Sequence, residues 1–410
     1  MVYLPNPTVK INGRDYTDVS VGQITISRGR DTVYAQPNAA AATVELIDVG
    51  AFTRFSVGAD IEISMLFPAI EWDLLADSWD AVGDEWELIF GPLIPGFIKP
   101  VFTGTVSDWS ADAVAAQNAP VMRYSVQAVG PLATLNRRNV FFDGRVAEDD
   151  GERVEAILTA ALGTAVVDPT IIDPGVFDLA AVDVDASGYG ALELLLDSAV
   201  SAQGVIFETP DGRIGYANAD RRFNETEFLD IPFGQVQVGG LSVSSALGDV
   251  TNVVTVEFEG GAVTVTDDSS AERFGEQDTT ISTSLATEAQ ALSFANAFLQ
   301  RHSTPSVSLG VLSFNLRNMD RNIRESVLES NVNRGVVLSG VPVRVGFANF
   351  EGFVEGIEIR ITQFEAELGL LVSDSVLSTG DMRWSVVPLA VTWDTVEPAG
   401  LVWNDARTIG

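Results

Sequence analysis

Neighbouring carboxylates are the first residues in this chain that could do chemistry. Glu148-Asp149-Asp150 and Asp267-Asp268 place acids side by side, and a pair of carboxylates is what glycoside hydrolysis requires. With 57 acidic residues against 24 basic ones, such neighbours arise easily by chance. The plainer readings are a charge cluster at a helix N-terminus for the first and a solvated turn for the second. Asp267-Asp268-Ser269-Ser270 also gathers oxygens as a calcium site would, but EF-hand spacing is missing, so a polar turn is the expectation. His302 is the sole histidine. It follows Arg301 where a helix should end, and there the helix dipole would stabilise its cation. No serine or cysteine nucleophile motif accompanies it, so it reads as a cap rather than a catalyst. A nucleophile elbow, a Walker A loop and a dinucleotide fingerprint are all missing. The chain has no cysteine, which excludes disulfides, thiol nucleophiles and thiolate metal sites. The expectation is a protein that is not an enzyme and takes no cofactor or metal.

Tryptophan is the sharpest local feature. Trp72, Trp79 and Trp86 are spaced by seven in an acidic segment, and Trp384, Trp393 and Trp403 recur near the C-terminal end. With Trp109 these are all seven tryptophans, so six lie in two segments. These six are the candidate protein-interface residues, since tryptophan is a favoured interface anchor. They could equally pack over their own domain as a satellite core, or stack on sugars.

The elements that would carry these residues are mainly β. Val19–Ser27, Thr43–Ile47, Asp60–Met65 and Arg123–Ala128 alternate apolar and polar residues, the pattern of strands with one buried face. Residues 1–135 therefore read as a β-barrel or sandwich, interrupted by the tryptophan-rich insertion of residues 68–100. Residues 136–230 read as a small α+β middle domain. Val154, Ile157, Leu158, Ala161 and Leu162 have helical spacing with Gly163 as a stop. A second helix runs over 191–202, and Pro210-Asp211-Gly212 turns a hairpin between Val205–Thr209 and Arg213–Ala217. Residues 231–375 return to strands, at Asn252–Phe258, Ala262–Thr266, Val341–Val345, Gly356–Thr362 and Glu365–Val372. One helix, Glu288–Leu299, interrupts them, capped by Thr287. Residues 376–410 form a tryptophan-containing tail.

The order of these pieces resembles the hub proteins of phage tail tips and baseplates, in particular minor tail proteins of long-tailed actinobacterial phages. The matching stretches are Gly22–Arg30, the small-residue strand Ala40–Leu46, Val101-Phe102-Thr103-Gly104-Thr105-Val106, and Tyr124–Asn136 with Leu135-Asn136-Arg137. Asn252–Val256, the helix end Phe298-Leu299-Gln300-Arg301 before Thr304-Pro305, and Phe353–Thr362 complete it. The resemblance covers most of residues 7–375. It implies two tube-like antiparallel β-barrel domains per chain plus the middle domain. It also implies a homotrimer at the tail tip of a virion, closing the distal tail tube and matching six-fold tube to three-fold tip. The implied partners are the distal tail protein, the C-terminus of the tape-measure protein and receptor-binding proteins. Without a large C-terminal extension, the resemblance implies a hub that does not digest the host wall. The alternative is a carbohydrate-binding adhesin or depolymerase.

Charge and hydropathy fit that expectation. The net charge is −33, which opposes wrapping DNA. Three chains would carry 3 × −33 = −99, and acidic residues on a channel wall would let DNA pass without sticking. No apolar run reaches the roughly 18–20 residues of a membrane span. Met1–Pro7 lacks the character of a signal peptide, so assembly in the host cytoplasm is expected.

Overall fold

The computed structural model describes residues 7–16, 20–31, 35–47, 55–67, 97–115, 120–141, 145–164, 167–182, 188–222, 224–225, 227–237, 239–244, 250–305, 308–342, 349–362 and 365–375. The expected mainly β architecture with α+β parts is present.

One 12-stranded sheet dominates. Its first part comes from Pro7–Ile11, Arg14–Asp15, Ser20–Gly29, Asn38–Ile47, Asp60–Phe67, Phe97–Ala115 and Pro120–Val129. Its second part comes from Leu229–Pro232, Leu312–Asn315, Gly335–Ser339, Phe350–Thr362 and Ala366–Asp374. The two parts meet where Ser20–Gly29 pairs antiparallel with Phe350–Thr362, Ile24 opposite Ile361 and Gly29 opposite Gly356. The alternation read from sequence sets which side chains are buried. Along Asn38–Ile47, Ala40, Ala42, Val44 and Leu46 point inward, as a period of two demands. A single apolar core runs through both parts, from Val9 and Ile63 to Phe314 and Leu370.

Two barrels were expected from the resemblance. Among the described residues the sheet is open: its end strands, Leu229–Pro232 and Arg14–Asp15, do not pair with each other. Strands Val253–Phe258 and Gly261–Thr266, expected among those of the second barrel, lie in a separate three-stranded sheet with Asp278–Ser282. The reason is the helix Glu288–His302. Its Phe294, Ala295 and Leu299 cover Val254 and Val256 and build a core of their own. Thr287 caps this helix, its Oγ1 accepting from the Gln290 amide at 3.3 Å, as the sequence predicted. Gly335–Ser339 is a strand that the sequence reading did not name; most of the strand expected at Val341–Val345 lies outside the described residues, which end at Pro342 and resume at 349. The helix Arg321–Leu328 was not foreseen.

Residues 132–217 form a compact α+β unit. Helices Asp150–Leu162 and Ala191–Ser201 pack with the hairpin Val205–Glu208 and Ile214–Ala217 around Val154, Ile157, Leu158, Leu195, Ile206 and Tyr216. No helix among the described residues is long and apolar enough to cross a membrane.

Candidate functional site

Trp72, Trp79, Trp86, Trp384, Trp393 and Trp403 all lie outside the described residues. Trp109 is described. It is partly buried against the large core, edge-on to Phe55 at 6.0 Å.

The acidic clusters have structural work. Asp149 caps Asp150–Leu162, its carboxylate accepting from the Glu152 amide at 2.7 Å, the helix N-terminal role read from sequence. Asp150 is fully buried. It accepts from the amides of Val176 (2.6 Å) and Phe177 (2.7 Å) and from the Tyr216 hydroxyl (2.5 Å). Burial, and then the Asp150 charge, push the Tyr216 phenol far up. Glu148 pairs with Arg145 and Arg153. Burial alone would raise its carboxyl, and the two guanidiniums bring it below the ordinary glutamate value. Asp267 differs from expectation. The predicted turn is the start of the helix Asp268–Phe274, and Asp267 caps it by accepting from the Ser270 amide at 3.1 Å. Among the described residues no group of three or more His, Cys, Asp or Glu side chains could hold a metal ion.

His302 ends its helix as expected, but it is not a dipole-stabilised cation. It is buried, with its ring 4.3 Å from that of Phe298. Burial, reinforced by Arg301, pulls its pKa down to about 4. The imidazole is therefore neutral at pH 7, because desolvation outweighs the helix dipole.

The feature sequence reasoning missed is a buried ionic junction that ties all three regions together. Glu355 is 1% exposed. Its Oε2 accepts from Arg30 Nε at 2.6 Å and from Arg222 Nη2 at 2.9 Å, and its Oε1 accepts from Arg222 Nη1 at 2.7 Å. Arg222 also donates from Nε to Asn333 Oδ1 at 2.7 Å and lies over the Phe353 ring. Burial alone would raise the Glu355 carboxyl, but Arg222 and Arg30 more than offset this and hold it at about 2. A β-bulge at Val354–Gly356 turns Glu355 inward, the re-aiming that bulges provide. Gly29 makes room. It has φ +97°, and a Cβ there would sit 2.3 Å from the Glu355 carbonyl oxygen. The missed signal was phase: Ile24 and Ile26 face inward, and steps of two lead on to Arg28 and Arg30, both buried.

A second buried carboxylate lies close by. Glu208, on the hairpin of the α+β unit, accepts from the amides of Ala40 and Leu132. Burial raises it to about 6, against the pull of those amides and of Arg28. Arg28 is buried, and its guanidinium makes no hydrogen bond among the described residues. Burial lowers its pKa to about 10, with Glu208 and Asp211 opposing. Glu208 bridges segments far apart in sequence and positions their backbone, and it is occupied by the two amides it accepts from.

The geometry can be set beside known structures. The 43 kDa tail protein of prophage MuSo2 from Shewanella oneidensis superposes with a TM-score of 0.59 at 13% identity, over 91% of this chain and 98% of that one. The tail protein from Neisseria meningitidis MC58 gives 0.60 at 11% identity, over 92% of this chain and 99% of that one. The chain has the fold of phage tail proteins. No family model matches the chain, and no curated protein matches it. At these identities the shared property is the fold, and it extends over nearly the whole length of both tail proteins.

Proposed function

We propose that this chain is a structural component of a phage tail, acting as a hub at the tail tip rather than as an enzyme. The observation that carries the reading is the end-to-end superposition on two tail proteins, with 98% and 99% of their lengths covered. The ionisable groups support it, since Glu355 and Asp150 each join distant segments through ion pairs or hydrogen bonds.

In this reading residues 7–129 and 229–375 are two tube-like units joined edge to edge through Ser20–Gly29 and Phe350–Thr362, with residues 250–305 an insertion in the second. Three chains then present six such units, matching the six-fold tube to a three-fold tip. The ring lines the DNA exit channel. Its partners are the distal tail protein, the tape-measure C-terminus and receptor-binding proteins, with assembly in the host cytoplasm. The two tryptophan segments are assigned to protein interfaces. Among the described residues no feature favours the adhesin or depolymerase alternative.

The test is cryo-imaging of virions with this chain labelled. Density at the tail tip with three copies is expected, and label along the tube or on the capsid refutes the hub. In solution, mass photometry should show a species near three times 43.8 kDa, about 131 kDa, once the distal tail protein is added. Glycan arrays should be blank.

A further inference from the structure

A cleft of about 400 Å³ opens where the large sheet, the α+β unit and the three-stranded sheet meet. Part of its lining is aromatic: Phe294, Phe298 and His302 follow one another at intervals of four on the helix Glu288–His302, so they share a face. Phe294 and Phe298 are parallel at 6.4 Å, and His302 lies 4.3 Å beyond Phe298. The lining also holds three arginines: Arg30, Arg222 and, on the same helix as the aromatic residues, Arg301.

These arginines differ in how they are paired. Glu355 serves both Arg30 and Arg222. Arg301 donates to Gln203 Oε1 at 2.8 Å and has no ion pair among the described residues. Burial and the facing Arg222 lower its pKa to about 10, and Asp220 only partly opposes them. His302 is neutral at pH 7 and adds no charge. Among the described residues Arg301 is thus the arginine of this lining with no ion pair, with Asp220 at longer range. A guanidinium fork matches a carboxylate in two parallel hydrogen bonds. The overall charge of −33 would repel an anion at a distance, but that field is screened beyond about 8 Å at physiological salt. Local charge decides inside the cleft.

We propose that this cleft binds a carboxylate carried on an aromatic or aliphatic body, with the carboxylate on Arg301 and the body against Phe298. Such a group could arrive as a free small acid or as an acidic side chain of a neighbouring polypeptide segment. The inference does not depend on the tail-hub reading.

The sole histidine lines the cleft, so its imidazole C–H signals in proton NMR report on it alone. Benzoate titrated into the full-length wild-type chain should shift those signals saturably in the millimolar range or below, and uncharged benzamide should not. A capped Phe-Glu dipeptide forms the second arm. Tighter binding than benzoate assigns the site to a polypeptide segment, and weaker binding assigns it to a free small acid. R301Q should weaken benzoate at least tenfold, while R273Q, at an exposed arginine on another helix, should not. Should R301Q fail to fold, the wild-type titration with benzoate and benzamide still decides. Unmoved histidine signals with both acids, equal shifts with benzamide, or unchanged affinity in folded R301Q would overturn the proposal.

Discussion

Replacing Glu355 by glutamine keeps its shape and removes its charge, leaving Arg30 and Arg222 buried with no counter-ion from this position. The magnitude follows from the ionisation of the carboxyl. An ordinary glutamate titrates near 4.5 and Glu355 near 2. At about 1.4 kcal/mol per pH unit the difference is worth about 3 kcal/mol. That lies at the low end of the roughly 3–5 kcal/mol expected for breaking a buried ion pair from one side. Because the folded-state value is depressed, the contribution is complete above pH 4.5 and is lost as pH falls from 4.5 towards 2. E355Q should therefore be about 3 kcal/mol less stable than wild type at pH 7. By linkage the gap should shrink to about half that at pH 3. Urea unfolding of both full-length chains, followed by circular dichroism at the two pH values, measures it. The other acidic residues are common to both proteins and cancel in the difference. A gap below about 1 kcal/mol at pH 7, or one that does not narrow at pH 3, would refute the assignment of this junction as a main fastening of the fold.

Three further outcomes follow from the same geometry. The His302 imidazole signals should titrate with a midpoint near 4. Stability should correspondingly fall by about 3 kcal/mol as pH drops from 6.5 to 4, a component that H302Q should lack; a midpoint near 6.5 would show an accessible ring. Y216F removes the donor to Asp150 and should cost about 1.5–3 kcal/mol, the range for a hydrogen bond to a charged group, read as a lowered denaturation midpoint. G29A combines a positive φ with a collision at the Glu355 carbonyl and should cost more than about 2 kcal/mol; soluble yield and melting temperature check it.

Local pattern made much of the fold legible. Alternation marked the strands around Ile24, Val44, Ile61 and Val126, and the helices Asp150–Leu162 and Glu288–His302 carried their own caps in Asp149 and Thr287. Partnership between distant segments was not legible. Arg30 and Glu355 are 325 residues apart, and no period links them. Glu355 was hidden further by its bulge: alternation holds from Ile357 to Ile361 but fails over Phe353–Glu355, where consecutive residues are all buried. The fate of Val254 and Val256 was equally out of reach. An alternating strand shows that one face is covered, and only the helix after it shows by what. His302 was placed correctly and its charge was not, because helix position is local and desolvation depends on Phe298 and the surrounding core.

The pairing of Ser20–Gly29 with Phe350–Thr362 has a consequence for the chain during its own synthesis. One side of the early strand has no partner until some 330 residues later have emerged. At ribosomal speeds of about 5–20 residues per second, that is a wait of roughly 17–66 s. Through that interval an apolar strand edge is open to any other nascent copy. Arg28 and Arg30 sit at the end of that edge, and like charges on two copies discourage the wrong pairing. The same arginines that are drawn into the interior of the finished protein would thus guard the unfinished one, and late arrival of Glu355 would mark the moment when Arg30's guard duty ends.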